Sequence, residues 1–256
     1  MQPLKPSQNP LLKLIRSDNS VNHTDANERI TLIALTWNCE GLKTNIFTLK
    51  SILNKISPDL CFLSEPQPFQ CDAQPILDYI KGEYCFALNS DDMHDPELPL
   101  VKNKSVGGTL CLWRKHLDPY VSVIELKSPS FTPFILKLPN FEISIHIAIY
   151  LPTHGKDVEF MADLADLGIC IEELHETYPA APLYVRGDGN VNAKNANRVA
   201  LLEHFLQKFS LTKVPVPHHT YHHFVGGGLF DSDIDVILNS VSILNQETVT
   251  EIMCKL

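Results

Sequence analysis

The sequence has no excess of positive charge. Its 256 residues hold 21 Lys and Arg against 30 Asp and Glu, a formal net charge of −9. No chain-wide positive field therefore draws it to nucleic acid or to an anionic membrane. A local group, Lys102, Lys104, Arg114 and Lys115, can still meet phosphate while the rest of the surface is acidic. The N-terminus lacks the apolar stretch that a signal peptide or a membrane helix needs. No pair among the seven cysteines has C-x-x-C spacing, and most sit in apolar runs such as Asp59-Leu60-Cys61-Phe62-Leu63. They read as buried thiols in a reducing compartment. The expectation is a soluble intracellular protein, nuclear or cytoplasmic, with no membrane partner, in which Asn22-His23-Thr24 carries no glycan. There is no internal repeat.

What is present is enough apolar material, 44% of residues, for one large core and one domain. Residues 1–28 are polar and rich in Pro, Asn and Ser around one apolar patch, Leu11 to Ile15, and read as a poorly ordered leader. The domain is expected over 29–256. Ile30–Trp37 and Leu60–Ser64 read as strands, and Thr44–Ile56 places Ile46, Leu49, Leu53 and Ile56 on one helical face. Residues 83–88, 105–114, 119–126, 132–138 and 142–150 read as five further strands between Pro, Asn and Ser turns. Asp157–Thr177 is the best helix, with Phe160, Leu164, Leu167, Ile171 and Leu174 at spacings of four and three, and Pro179 ends it. Ala181–Arg186 is a strand, Asn197–Phe209 a helix, and Thr220–Phe224 and Ile234–Leu238 are the last strands. Helices are too few for strict βαβ alternation. The pattern predicts an α/β fold, a four-layered sandwich of two mixed β-sheets packed face to face with helices outside.

Polar residues at the ends of buried strands are the usual mark of a site, because the strand fixes position and the loop gives access. Five stand out. Asn38 follows the run 32–37, Glu65 follows Leu60–Ser64, and Tyr150 closes Ile143–Ile149 just before Leu151-Pro152. Asp188 lies in Gly187-Asp188-Gly189-Asn190 after Leu183-Tyr184-Val185, and Asp235 interrupts Ile234-Asp235-Val236-Ile237. Each has a bland reading. Asn38 can cap the turn at Gly41, Glu65 can be solvated at a strand exit, Tyr150 can be a rim aromatic and Gly-Asp-Gly-Asn can be a turn. Asp235 is harder to dismiss, since a carboxylate inside a strand core needs a partner.

Together, in this order, the motifs resemble the endonuclease/exonuclease/phosphatase superfamily: Trp37-Asn38, Ser64-Glu65, Tyr150-Leu151-Pro152, Gly187-Asp188-Gly189-Asn190 and Ile234-Asp235-Val236-Ile237. The match spans about residues 30–240 and includes Gly107-Gly108-Thr109-Leu110 in place of the family's glycine-led central strand. Tyr150-Leu151-Pro152-Thr153, with Thr220-Tyr221-His222, looks most similar to the endonuclease domains of non-LTR retrotransposons. The resemblance implies a Mg²⁺ (or Mn²⁺) ion held by Glu65 with Asn38 assisting. It implies that Asp188 orients or deprotonates the attacking water, Asn190 holds a phosphate oxygen and Tyr150 supports the developing charge. Asp235 would orient a histidine. DNA is the implied partner.

The family pattern ends in Ser-Asp-His beyond the Ile-Asp strand, and residues 236–256 contain neither Asp nor His. The expectation is a truncated domain that lacks the terminal strand of one sheet and has weak or absent activity. Gly189 stands where the family has an aromatic, and Gly226-Gly227-Gly228 suggests a loose connection. His218, His219, His222 and His223 read as an exposed turn and strand entry, with the alternative that one replaces the missing imidazole. Three functions stay open: a DNA-nicking endonuclease, a phosphatase or ribonuclease on the same scaffold, and a non-catalytic remnant or binding module.

Overall fold

A computed structural model describes residues 31–68, 70–80, 82–90, 107–126, 128–214, 221–225, 228–232, 235–240 and 250–253. For residues 70, 221–225, 228–232, 235 and 250–253 only the backbone path is considered. The leader, Lys102, Lys104, His218, His219, Gly226, Gly227 and Cys254 lie outside the described residues.

The first sheet is built on β1 (Ile33–Asn38) and β2 (Leu60–Ser64), which run parallel, with Asn38 opposite Ser64. Antiparallel β4 (Thr109–Arg114) pairs β2, and β3 (Tyr84–Asn89) closes that edge. The second sheet has six strands. They run from the short β5 (Val121–Val123) through β6 (Phe131–Leu136), β7 (Ser144–Tyr150), β8 (Leu183–Asp188) and β12 (Asp235–Ser240) to β9 (Leu211–Lys213). A separate hairpin pairs β10 (Tyr221–Val225) with β11 (Gly228–Ser232). Both large sheets are mixed. The expected strand over 119–126 shrinks to three residues, because a 3-10 turn at Lys115–Tyr120, containing Pro119, takes the chain first.

Alternation along the strands sorts their side chains into layers. Ala34, Leu60, Phe62, Cys111, Trp113, Phe134 and Ala148 meet between the sheets. Leu35, Trp37, Cys61, Leu63, Leu110 and Leu112 face outward onto α1 (Leu42–Ile56) and α2 (Gln70–Leu77). Ile145, Ile147, Ile149, Leu183 and Val185 face outward on the other sheet, onto α3 (Asp157–Thr177) and α4 (Ala196–Lys208). The four-layered sandwich expected from the sequence is the fold.

Helix α1 forms because Leu42, Ile46, Leu49, Leu53 and Ile56 recur at spacings of four and three and are all buried. It stops at Ser57, whose left-handed backbone returns its N–H to the Leu53 carbonyl at 2.8 Å. One expectation is overturned at the sheet edge. β13 (Thr250–Met253) adds to β1 in parallel, Ile33 opposite Thr250, so β1 is not left uncovered there. Cys71 is exposed, whereas Cys39, Cys61, Cys111 and Cys170 are buried as expected.

Candidate functional site

The C-terminal ends of β1, β2, β7 and β8 meet at one end of the sandwich. Asn38 ends β1, Glu65 follows β2, Tyr150 ends β7 and Asp188 ends β8. Parallel pairing of β7 with β8 sets Tyr150 opposite Asp188, and antiparallel pairing sets the Cα of Asp235, at the start of β12, on its other side. Backbone register thus groups Asn38 with the Ser64-Glu65 strand end in one sheet and Tyr150, Asp188 and Asp235 in the other, and the packing of the two sheets brings Asn38 to Asp188.

Asp188 is the centre of the hydrogen-bond network. Only 1% of it is exposed. Asn38 Nδ2 donates to its Oδ2 at 2.7 Å across the gap between the sheets, and the Asn190 backbone N–H donates to its Oδ1 at 2.8 Å. The Asp188 N–H in turn donates to Ser64 Oγ at 3.0 Å, and that hydroxyl donates to the Ile149 carbonyl at 3.0 Å. One serine therefore satisfies a backbone group on each of two strands of the opposite sheet. A carboxylate so clamped has a fixed direction, which catalysis by proton transfer requires.

Asn38 is turned toward its neighbours by a second bond, its Oδ1 accepting from Glu40 N at 3.1 Å. Asn190 Nδ2 donates to the Leu151 carbonyl at 2.7 Å, joining the Gly-Asp-Gly-Asn turn to the Tyr-Leu-Pro-Thr loop. Tyr150 is seated from both sides. Its N–H donates to the Ser130 carbonyl at 2.7 Å, and Ser130 Oγ donates to Asp163 Oδ2 at 2.5 Å. Burial raises the Asp163 carboxyl above its usual range, and the Ser130 hydroxyl partly offsets that. The Tyr150 ring lies against Gly107, where an added Cβ would stand 2.6 Å from it.

Glu65 is half-buried, with a Gln67 amide 3.4 Å from one carboxylate oxygen. Glu65 and Asn190 both hold left-handed backbone, φ 52° and 48°. Non-glycine residues there cost about 1–3 kcal/mol each and cluster at functional sites. Beside the site, burial pushes the Cys39 thiol up to about 12, and its Sγ contacts the Ser64 carbonyl at 3.2 Å. It is an inert core group rather than a nucleophile.

The residues present suit a hard cation. Glu65 and Asn38 offer oxygen donors on adjacent strand ends, and no group of three or more His, Cys, Asp or Glu occurs among the described residues. Of the basic group read from the sequence, Lys102 and Lys104 lie outside the described residues, and Arg114 contacts Glu83 at 3.2 Å and lies over the Tyr84 ring.

Of three further residues that hold the site, Ser64 and Gly107 entered the sequence reading only as parts of motifs, and Arg198 was not singled out. Arg198 had a legible signal. It shares the inward spacing of Leu202 and Phe205 on α4, and an arginine on a buried face calls for partners.

No family model and no curated protein matches the sequence. Solved structures do. The endonuclease domain of TRAS1, a telomere-specific non-LTR retrotransposon, superposes with a TM-score of 0.58 at 12% identity, over 84% of this chain and 88% of that one. A 3'-5' exonuclease from Neisseria meningitidis gives 0.63 at 14% identity, over 84% and 90%. AP endonuclease LMAP from Leishmania major gives 0.61 at 14%, over 81% and 78%. The chain has the two-sheet fold of the endonuclease/exonuclease/phosphatase proteins. Among the described residues no helix is long and apolar enough to cross a membrane.

Proposed function

We propose that this chain is a Mg²⁺- or Mn²⁺-dependent phosphodiester hydrolase that nicks DNA. The observation that carries the reading is the clamp on Asp188, a carboxylate 1% exposed and gripped from the opposite sheet by Asn38 at 2.7 Å, with Glu65 on the adjoining strand end. A fold shared with two endonucleases and an exonuclease supports it.

Glu65, with Asn38, would hold the cation, which when bound would polarise a phosphate oxygen. Asp188 orients the attacking water and takes its proton, and the amide of Asn38 keeps the receiving carboxylate in one direction. Asn190 spends one amide hydrogen on the Leu151 carbonyl and directs the other to a phosphate oxygen. Tyr150, fixed by Ser130 and Gly107, stabilises the charge that develops on the phosphoryl group. Asp235 stands opposite Asp188 in the strand register, at the start of β12.

The test is a substrate panel with purified protein: supercoiled plasmid, a single-stranded RNA and p-nitrophenyl phosphate, each with Mg²⁺, with Mn²⁺ and with EDTA. The reading expects nicked circles in Mg²⁺ or Mn²⁺, none in EDTA, and little turnover of the other two. Turnover confined to RNA or to the small phosphoester would reassign the substrate. A folded protein that cleaves none of the three would overturn the hydrolase reading for these substrates and put the binding-module reading in front.

A further inference from the structure

Arg198 lies on the first turn of α4, eight residues beyond Asn190, and is 2% exposed. Its guanidinium makes four hydrogen bonds. Nη1 donates to the Pro152 carbonyl at 2.6 Å and to the Asn190 carbonyl at 3.1 Å, Nη2 donates to the Thr153 carbonyl at 2.8 Å, and Nε donates to Asp157 Oδ1 at 2.8 Å. Beneath it lies the Phe160 ring, 4.3 Å from the guanidinium carbon. Three of the four acceptors are backbone carbonyls of two loops. One loop carries Tyr150 and the other carries Asp188 and Asn190. The β7–β8 ladder joins the stems of these loops at Tyr150 and Asp188, where the Leu151 N–H donates to the Asp188 carbonyl at 2.9 Å, but among the described residues no ladder pairing reaches Pro152, Thr153 or Asn190.

A buried cation is normally matched by a buried carboxylate. Here the single carboxylate partner, Asp157, has a side chain that is 61% exposed, while that of Arg198 is 2% exposed. Water screens Asp157, so the carbonyl cage does most of the holding. The planar fork reaches carbonyls on both loops at once, which the single ammonium of lysine cannot do with the same geometry. Stacking on Phe160 and the Asn195 side chain that caps α4, accepting from the Arg198 N–H at 3.2 Å, fix the fork itself.

We propose that Arg198 is a positioning residue for the phosphodiester reaction, holding the Pro152-Thr153 segment that follows Tyr150 against the Asn190 end of the Gly-Asp-Gly-Asn turn, beyond the point where the β7–β8 ladder stops. It touches no reacting atom. It acts through the carbonyl of Asn190 and the Pro152-Thr153 segment. The proposal rests on the hydrolase reading above for its catalytic consequence, but its structural content stands without it.

The test compares the full chain with Arg198→Lys, Asn190→Ala and the double variant. Arg198→Lys keeps the charge and loses the fork. It is expected to lower kcat about a hundredfold with KM little changed, since misplacing catalytic groups by about an ångström costs that much. In the Asn190→Ala background the same change is expected to cost clearly less than in the full chain, because the share that acts through the Asn190 side chain is already lost, while the carbonyls that Arg198 holds remain. Losses that multiply in the double variant would overturn the proposal. So would a loss in Arg198→Lys that follows only its unfolded fraction.

Amide hydrogen exchange decides the matter if no activity is found in any form. Residues 151–155 and 189–192 are expected to exchange at least about tenfold faster in Arg198→Lys, while β7 and β8 keep their protection. Unchanged exchange in both loops would overturn the clamp itself, whereas inactive protein with loosened loops would count against the hydrolase reading alone.

Discussion

A Cβ added at Gly187 would stand 2.1 Å from the Ile149 carbonyl oxygen, and the residue holds φ +139°. The glycine of the Gly-Asp-x-Asn motif is therefore a packing requirement of the parallel β7–β8 pair as well as a turn signal. Gly187→Ala is expected to destabilise the protein by about 3 kcal/mol, from overpacking and backbone strain together, seen as a lower urea midpoint with unchanged m. His146 gives a second test at the scale of one residue. It is buried between the rings of Phe134 at 5.0 Å and Tyr184 at 4.9 Å, with Ser144 Oγ 2.9 Å from Nε2 and Arg186 Nη1 3.5 Å from Nδ1. Burial first, then the Arg186 charge, holds it well below its usual 6.5. The folded state thus binds fewer protons than the unfolded one below that value. Stability is full above about pH 6.5 and falls as the pH drops toward the folded pKa. The urea midpoint should decline between about pH 7 and about pH 5, and less steeply in His146→Gln.

Elements were legible where spacing was strong. The run Phe160, Leu164, Leu167, Ile171, Leu174 drew α3 with the boundaries observed, Asp157–Thr177, and Asn38, Tyr150 and Asp188 each end a strand as read. Helix α2 was missed because Pro75 lies inside it and Pro66 and Pro68 precede it, so local signals argue for turn. β9 and β13 are too short to show a period, and their existence depends on the sheet they join. The strand ends of the site could be read from polar residues closing apolar runs. Ser64 and Arg198 could not be placed, because their partners are backbone groups 85 and 46 residues away in sequence. Helix α3 offers a contrast on adjacent residues. Phe160 is fully buried, beneath Arg198, and Met161 is 48% exposed. Phe160→Ala is expected to cost about 3–5 kcal/mol in urea unfolding, and Met161→Ala under about 0.5 kcal/mol. Similar costs for both would show that α3 does not pack as described.

At the scale of the molecule, the two sheets contribute different parts of one site. Asn38 and Glu65 come from the first sheet, and Tyr150, Asp188 and Asp235 from the second. The bonds that cross the sandwich at this end, Asn38 to Asp188 and Ser64 to the Asp188 and Ile149 backbones, make sheet packing and site geometry one structure. Anything that slides one sheet over the other separates Glu65, the carboxylate proposed to hold the cation, from Asp188, the one proposed to orient the water. The edge strand expected to be missing is supplied by β13, so β1 lies inside the first sheet rather than at its edge. The most direct measurement is nicking of supercoiled plasmid in Mg²⁺ by the unmodified chain, Glu65→Ala and Asp188→Ala, with folding of each checked by circular dichroism. The account predicts cleavage by the unmodified chain and a loss of at least about a hundredfold in each variant at unchanged fold. Cleavage that survives both substitutions, or a folded unmodified chain that leaves the plasmid intact, would contradict it.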